Sequence, residues 1–150
     1  MGNLKRRASS LNELRSGLIL LRGDVEYASA TLPEAVGRIA RRAGREQDFF
    51  GKLIQRLEKE DGVSFAEKWK EAVEETAPMA ALRSEDVDEL NRLGEYLGQQ
   101  NKESQLRHLD WYLQQSEEAL AEIRKGEKEK IHLYRMLSVL GGAFLCIILI

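Results

Sequence analysis

Hydrophobic residues recur every seven positions over the first thirty residues of the chain. The repeat has a primary and a complementary set: Leu4, Leu11, Leu18 and Val25, then Leu14, Leu21 and Ala28. Such an a/d pattern is typical of a helix that packs along its length on another helix. We therefore predict a heptad helix within residues 1–30, whose partner lies in this chain or in another.

Four shorter helices are predicted between residues 31 and 98, where capping signals alternate with stop signals. Thr31 and Ser64 are each followed three residues later by a glutamate, which is the capping-box pattern of a helix start. Ser84 is a third predicted N-cap, and another helix is expected from about Glu46 to Lys59. The predicted stops are Gly44, Glu60-Asp61-Gly62, Ala77-Pro78 and Gly98.

The last helix is predicted to begin near Lys102 and to run without a stop into the apolar end of the chain. Gly126 is its weak point, at a cost of about 1 kcal/mol relative to alanine. Val, Ile and Thr, which favour strands, are comparatively scarce. The sequence therefore predicts an all-α fold, a compact bundle of about six helices over residues 1–130, with residues 102–130 as its long helix.

The chain carries no charged residue after Arg135. Residues 136–150 would span about 22 Å as a helix, against about 30 Å for a hydrocarbon core, and counting from Ile131 reduces the deficit. We predict a C-terminal transmembrane segment at residues 131–150. A buried helix of a soluble core is the alternative, although the segment has no polar face for water. The predicted lipid-facing residues are Leu137, Val139, Leu140, Phe144, Leu145, Ile147, Ile148 and Leu149.

Basic residues flank this apolar segment on its N-terminal side. They are Arg124, Lys125, Lys128, Lys130 and Arg135. Because positive residues stay on the cytoplasmic side of a membrane, we predict that residues 1–130 are cytoplasmic. A second basic cluster, Lys5-Arg6-Arg7, is either a solvated helix start or the flank of a membrane segment upstream.

Charge and chemistry-bearing residues argue against several functional classes. Lys and Arg total 23 and Asp and Glu total 25, for a net charge of −2, which argues against nucleic-acid binding driven by bulk charge. One cysteine and two histidines on the same predicted helix offer no converging zinc ligands. Phosphate-binding, dinucleotide, hydrolase and metalloprotease motifs are absent from the sequence. We expect no catalytic residue, no metal and no cofactor.

Arg38, Arg41, Arg42 and Arg45 form a dense basic stripe on one predicted helix face. A solvated face is the simplest interpretation. Docking to an acidic protein surface or to anionic lipid headgroups is the second. Binding of nucleic acid is disfavoured, because no aromatic residues interleave with the arginines.

Gly94 and Gly98 lie four residues apart in one predicted helix. Two glycines inside a helix are costly unless they permit a close helix contact. The simpler alternative is that Gly98 ends the helix and Gly94 is tolerated. Physics alone leaves both interpretations open.

Six segments carry a resemblance to a known family by their order and spacing. They are Thr31–Ala35, Phe49-Phe50, Gly62–Trp69, Leu93–Gly98, Gln105–Leu109 and Leu137–Gly142. Together they resemble stage III sporulation protein AB of endospore-forming bacteria, over nearly the whole chain. That family is in turn similar to the cytoplasmic domains of the type II secretion F protein, in which a Gly-Glu stretch corresponds to Gly94-Glu95.

The resemblance implies a non-enzymatic, membrane-anchored component of a channel or secretion-like complex between mother cell and forespore. The implied partners are the sibling stage III sporulation proteins, including a secretion-type ATPase, together with membrane lipid and without nucleic acid. The implied location is the mother-cell membrane around the forespore, with the main domain in the cytoplasm. Gly94, Glu95, Gly98 and Gln105 join the arginine stripe as candidate interaction residues.

Two features depart from the family pattern. Family members begin with a hydrophobic membrane segment, whereas this sequence begins Met1-Gly2-Asn3, so Lys5-Arg6-Arg7 is expected to be the flank of a first span. An acidic residue often stands where this chain has Asn101, so this member either docks differently or does not need that acid. A self-associating coiled-coil membrane scaffold without a secretion role is the alternative function, supported by the heptad and the long last helix.

Overall fold

The computed structural model describes residues 2–28, 30–42, 48–99 and 101–149, and at residues 140–149 it describes the backbone alone. Within these ranges the chain forms six helices and no strand, which confirms the predicted all-α fold. They are α1 (Gly2–Tyr27), α2 (Leu32–Arg41), α3 (Phe49–Leu57), α4 (Phe65–Thr76), α5 (Ser84–Leu97) and α6 (Lys102–Leu149).

Each helix packs against its neighbours in sequence, and α6 returns to pack on α1, so the helices close into a ring. α1 and α6 are antiparallel: Leu4 packs near Ile123 at one end, and Lys102 Nζ donates to the Glu26 carbonyl at the other. We call these the base and the distal end of the bundle. In this ring α2 and α5 occupy opposite sides.

The heptad helix finds its partner inside the chain. Leu11, Leu14, Leu18 and Leu21 are at most 6% exposed, and α1 lies along α6. A helix with an apolar stripe along one side needs another apolar surface to cover that stripe. The partner of α1 is therefore α6 of the same chain, whereas the sequence had left open a partner in another chain.

Side-chain caps set the starts of the short helices. Thr31 Oγ1 accepts a hydrogen bond from the Glu34 amide at 3.3 Å, and Ser64 Oγ accepts one from the Glu67 amide at 3.2 Å. Both N-caps are as predicted, because capping depends on residues only three positions apart. α6 also runs through Gly126 without a break, as predicted.

Three predicted boundaries were wrong. The N-cap of α5 is Arg83, one residue before the predicted N-cap Ser84. Asp86 Oδ2 accepts a hydrogen bond from the Arg83 amide at 2.8 Å. α3 begins at Phe49 because Asp48 Oδ1 caps the Phe50 and Gly51 amides. α2 ends at Arg41, before Gly44, which lies outside the described residues.

Arg7 is not a solvated residue, contrary to the first prediction for the cluster that contains it, whereas the flank of an upstream membrane segment stays a prediction. Its side chain is buried, and its Nε and Nη2 donate to the two oxygens of Asp86 at 2.7 and 2.8 Å. Lys5 and Arg6, the two residues that precede it in the cluster, remain exposed. The pair ties the start of α1 to the start of α5, which a local sequence pattern does not reveal.

Candidate functional site: the interaction surfaces

Two arginines of α2 and the arginine that directly follows the helix form a basic surface on the bundle. Arg38, Arg41 and Arg42 are exposed and line one concavity of about 260 Å³ with Leu20, Asp24 and Ile39. Arg38 lies 3.8 Å from Asp24, whereas Arg41 and Arg42 form no ion pair with another described residue. We call the three arginines the basic face.

The arginine stripe differs from its prediction in one respect. Arg42 has left the helix, with ψ at 135°, so the residues do not share one continuous helix face. Arg45 lies outside the described residues. The exposed apolar side chain of Leu20 on α1 lines the same concavity. The basic face therefore combines uncompensated positive charge with apolar area.

Gly98 and Gln105 come together at the distal end. They line an open cleft of about 620 Å³ that also includes Phe65 and Leu97. Gln105 Nε2 donates to the carbonyls of Leu97 at 3.0 Å and Gln99 at 2.7 Å. Gln105 therefore satisfies the carbonyl groups left free at the end of α5, and its amide nitrogen is occupied by this structural role.

Gly94 belongs to the core and not to the surface. A Cβ atom there would overlap the indole ring of Trp69, whose Nε1 donates to the Leu90 carbonyl at 2.8 Å. The glycine thus permits α4 and α5 to approach closely. Glu95, its neighbour, points outward and is exposed. Gly98 is at the same time the C-cap of α5, so both interpretations of the glycine pair apply, each to one residue.

The predicted interaction residues do not form a single site. The basic face lies on α2, and Glu95 lies on α5, on the opposite side of the ring. Gly98 and Gln105 occupy the distal end between them. Any partner that contacts both the basic face and Glu95 would have to wrap around the bundle.

His108 lies at the contact between α5 and α6. His108 stacks on Tyr96, with ring centroids 3.5 Å apart, and its Nδ1 lies 2.7 Å from the Ser104 carbonyl oxygen. Groups of three or more metal-ligating side chains are absent from the described part of the chain. His108 thus joins α5 to α6, which agrees with its interpretation as an interface residue.

The end of α6 projects beyond the bundle. Ile123 is the last buried residue of the described side chains, and residues 128–139 are all exposed. Six large apolar side chains in this stretch are more than half exposed: Ile131, Leu133, Tyr134, Met136, Leu137 and Val139. The alternative of a C-terminal helix buried in the core is therefore wrong for residues 131–139. The side chains of the other predicted lipid-facing residues, Leu140 and those beyond it, lie outside the described ones.

Among the residues that the structure describes, no helix is both long enough and apolar enough to cross a membrane. The transmembrane segment at residues 131–150 therefore stays a prediction.

The fold and its surfaces define an all-helical bundle with a long projecting C-terminal helix. A family model described as stage III sporulation protein AB matches residues 1–150. A solved structure titled stage III sporulation protein AB matches with a probability of 1.00 and a TM-score of 0.73. It is 22% identical, and the match covers 83% of this chain and 98% of that one. Comparison with curated protein sequences gave no match.

The chain belongs to the stage III sporulation protein AB family. The resemblance noted in the sequence is thereby confirmed, and the protein is a component of the sporulation apparatus. The likeness to the solved structure adds that the fold is shared.

Proposed function

We propose that this protein is a non-enzymatic, membrane-anchored adaptor of a stage III sporulation complex. In this proposal residues 131–150 lie in the mother-cell membrane, and residues 1–130 form a cytoplasmic domain. The domain docks a secretion-type ATPase and couples it to the membrane components of a channel between mother cell and forespore. Sibling stage III proteins are the remaining partners.

The exposed apolar end of α6 is the observation that carries the anchoring. Between Ile131 and Val139 the large apolar side chains lie on every side of the helix, and each is more than half exposed. Water is a poor solvent for such a surface, whereas lipid or a partner protein covers it favourably. The basic residues that precede it, Lys128 and Lys130, suit the headgroup region.

The continuity of α6 supports a coupling role. One helix of 48 residues includes both bundle residues and the projecting segment, and a helix of that length is about 72 Å long. Because no loop interrupts it, a tilt of the bundle on a partner would move the membrane-proximal end as well. An adaptor that transmits movement requires a connection of this kind.

The basic face favours an acidic protein partner over lipid headgroups. Leu20, beside the basic face, follows Leu4 at the base by sixteen residues of α1, or about 24 Å along the helix. That separation places the arginines well away from a membrane that α6 enters near Ile131. An exposed guanidinium there pairs best with carboxylates of a docked protein.

Co-purification from sporulating cells tests the docking. In the variant R41E/R42E we expect the sibling proteins and the ATPase to be depleted at least fivefold relative to the parent chain. The matched control is K70E/R107E, which makes the same charge change at two exposed sites without an ion pair to a described residue. Equal recovery of partners in both variants would remove the basic face from the proposal.

Sedimentation of the full chain in neutral detergent distinguishes the adaptor from the alternative function, a self-associating coiled-coil scaffold. The adaptor proposal expects a globular monomer with a projecting helix, since α1 already packs on α6. An elongated dimer that forms without any sibling protein would favour the scaffold instead.

A further inference from the structure

A cavity of about 250 Å³ lies at the base of the bundle, where the starts of α1 and α5 meet α6. We call it the base pocket. Its lining combines residues that are distant in sequence but adjacent in the fold: Leu4, Lys5, Arg7, Arg83, Glu122, Ile123, Gly126, Glu127 and Lys130. The two basic clusters of the sequence, one at each end of the chain, thus meet at one site, joined by Arg83.

The base pocket holds more positive than negative charge. Arg7 is neutralised by Asp86 at 2.7 Å. Lys5, Arg83 and Lys130 form no ion pair with another described residue. Two carboxylates, Glu122 and Glu127, line the same cavity, which leaves three cations against two anions. The pocket is therefore suited to a ligand that carries one negative charge together with hydrogen-bond donors.

The floor of the pocket is apolar, and the pocket is open beside Gly126. Leu4 and Ile123 pack together beneath it, and a Cβ at Gly126 would meet no heavy atom within 4 Å. The glycine thus leaves a side of α6 open at this level. An apolar floor beside cations fits an amphiphile better than a free inorganic ion.

The position of the pocket along α6 matches the headgroup layer of a bilayer. Gly126 precedes Ile131, the first exposed apolar residue of the projecting helix, by five residues, or about 7.5 Å. Headgroup and interfacial regions add about 5 to 8 Å to each side of the hydrocarbon core. If α6 enters hydrocarbon at Ile131, the base pocket lies at the depth of the lipid phosphates.

We propose that the base pocket binds the headgroup of an anionic glycerophospholipid. Lys5, Arg83 and Lys130 contact the phosphodiester, Glu122 and Glu127 accept hydrogen bonds from headgroup hydroxyls, and the acyl chains lie along α6 beyond Ile131. The inference rests on the proposed membrane anchoring. An acidic peptide would offer charge without acyl chains, and it would leave the apolar part of the site uncovered.

Native mass spectrometry of the full chain in neutral detergent tests the site. The probes are dioctanoyl phosphatidylglycerol, dioctanoyl phosphatidylcholine, inorganic phosphate and a hexaglutamate peptide. We expect one phosphatidylglycerol to bind at least tenfold more tightly than phosphatidylcholine, and phosphate and peptide to bind more weakly still. Equal binding of the two lipids, or tighter binding of phosphate or peptide, would overturn the proposal.

Two pocket variants test where the lipid binds. K5A/R83A/K130A removes three cations, each worth about fivefold in affinity, so about a hundredfold loss is expected. Gly126→Phe fills the cavity without changing charge, and it should abolish the preference for phosphatidylglycerol. Gly126→Ala, which adds one carbon in open space, should bind as the parent does.

The matched control is R124A/K125A/K128A, which removes three neighbouring charges that do not line the pocket. We expect less than a fivefold loss for it. A loss equal to that of the pocket variant, together with unchanged binding by Gly126→Phe, would mean diffuse attraction to the helix and would overturn the pocket. Membrane sedimentation of the parent chain separates the two proposals: failure of the parent chain to sediment with vesicles defeats the anchor, whereas sedimentation without a preference for phosphatidylglycerol defeats the pocket alone.

Discussion

Arg7 on α1 and Asp86 on α5 form a buried, bidentate ion pair between residues 79 positions apart in the sequence, with N–O distances of 2.7 and 2.8 Å. Their side chains are 10% and 4% exposed. Asp86 also accepts from the Arg83 amide, so its oxygens are well satisfied. The pair fixes the base of the bundle, which is also the end from which α6 projects.

Removing Arg7 should be strongly destabilising. Arg7→Met leaves the Asp86 carboxylate buried without its partner, and breaking such pairs costs about 3–5 kcal/mol. Urea denaturation of the full chain in detergent measures the loss. Lys5→Met is the matched control, because Lys5 is exposed and should change the free energy of unfolding by less than about 0.5 kcal/mol. A similar small change for both would contradict the role of the pair.

The same pair predicts a pH dependence with a defined sign. Burial alone would raise the pKa of Asp86, but the hydrogen bonds from Arg7 and from the Arg83 amide outweigh it and hold that pKa below its ordinary value of 3.8. A depressed carboxyl pKa adds stability above pH 3.8, and that contribution is lost as the pH falls through the folded-state pKa. In Arg7→Met the guanidinium no longer opposes the effect of burial on the Asp86 carboxylate. Protonation of that carboxylate at low pH should therefore reduce the destabilisation of the variant.

Urea midpoints between pH 7 and pH 2.5 check this sign. The gap in stability between the parent chain and Arg7→Met should be largest near neutrality and should shrink below about pH 4. The pKa of Glu89 is raised by burial and by repulsion from Asp86. Its protonation at low pH therefore favours the folded state, and it does so in both proteins. A gap that stays constant down to pH 2.5 would show that Asp86 is not the titrating group.

Gly94→Ala should weaken the packing of α4 on α5. The added Cβ would overlap the Trp69 indole, and overpacking of a core costs about 1–3 kcal/mol. Thermal unfolding gives the measurement. Gly23→Ala serves as the control, since a Cβ there meets no heavy atom within 4 Å, and it should stabilise α1 by up to about 1 kcal/mol. Stabilisation by both substitutions would contradict the close approach at Gly94.

Ala81 stores backbone strain in the turn between α4 and α5. Its φ of 55° is the only positive value of a non-glycine residue in the described chain, and that conformation costs about 1–2 kcal/mol. Ala81→Gly should therefore raise the free energy of unfolding by about 0.5–1 kcal/mol, after the entropy of the more flexible unfolded chain is subtracted. Ala80→Gly, which relieves no such strain, should lower it; the same sign for both would refute the strain.

Local features of the fold were predictable from the sequence, whereas distant pairings were not. The caps at Thr31 and Ser64 and the inward leucines of α1 follow from spacings of three to seven residues. The cap at Asp48 carried a readable signal, an Asp before an apolar run, which the prediction of a start at Glu46 overlooked. The Arg7–Asp86 pair and the place of Arg83 in the base pocket depend on how the ring closes, which a periodic pattern does not encode.

The candidate surfaces show the same division. Exposure of the arginines on α2 follows from the apolar stripe on the other side of that helix. The core position of Gly94 depends instead on which side chain of α4 lies opposite it. Gln105 was singled out through the resemblance, and its hydrogen bonds to Leu97 and Gln99 give it a structural role that neither periodicity nor charge indicates.

Alkaline carbonate extraction of membranes from cells that produce the full chain tests the central claim most directly. The paired control is V139D/L140D, which places two charges at the middle of residues 131–150 and should release the chain, because charges near the centre of a bilayer are costly. The membrane-anchored account predicts that the parent chain stays in the membrane pellet at pH 11 while the control is released. Recovery of the parent chain in the supernatant would contradict it.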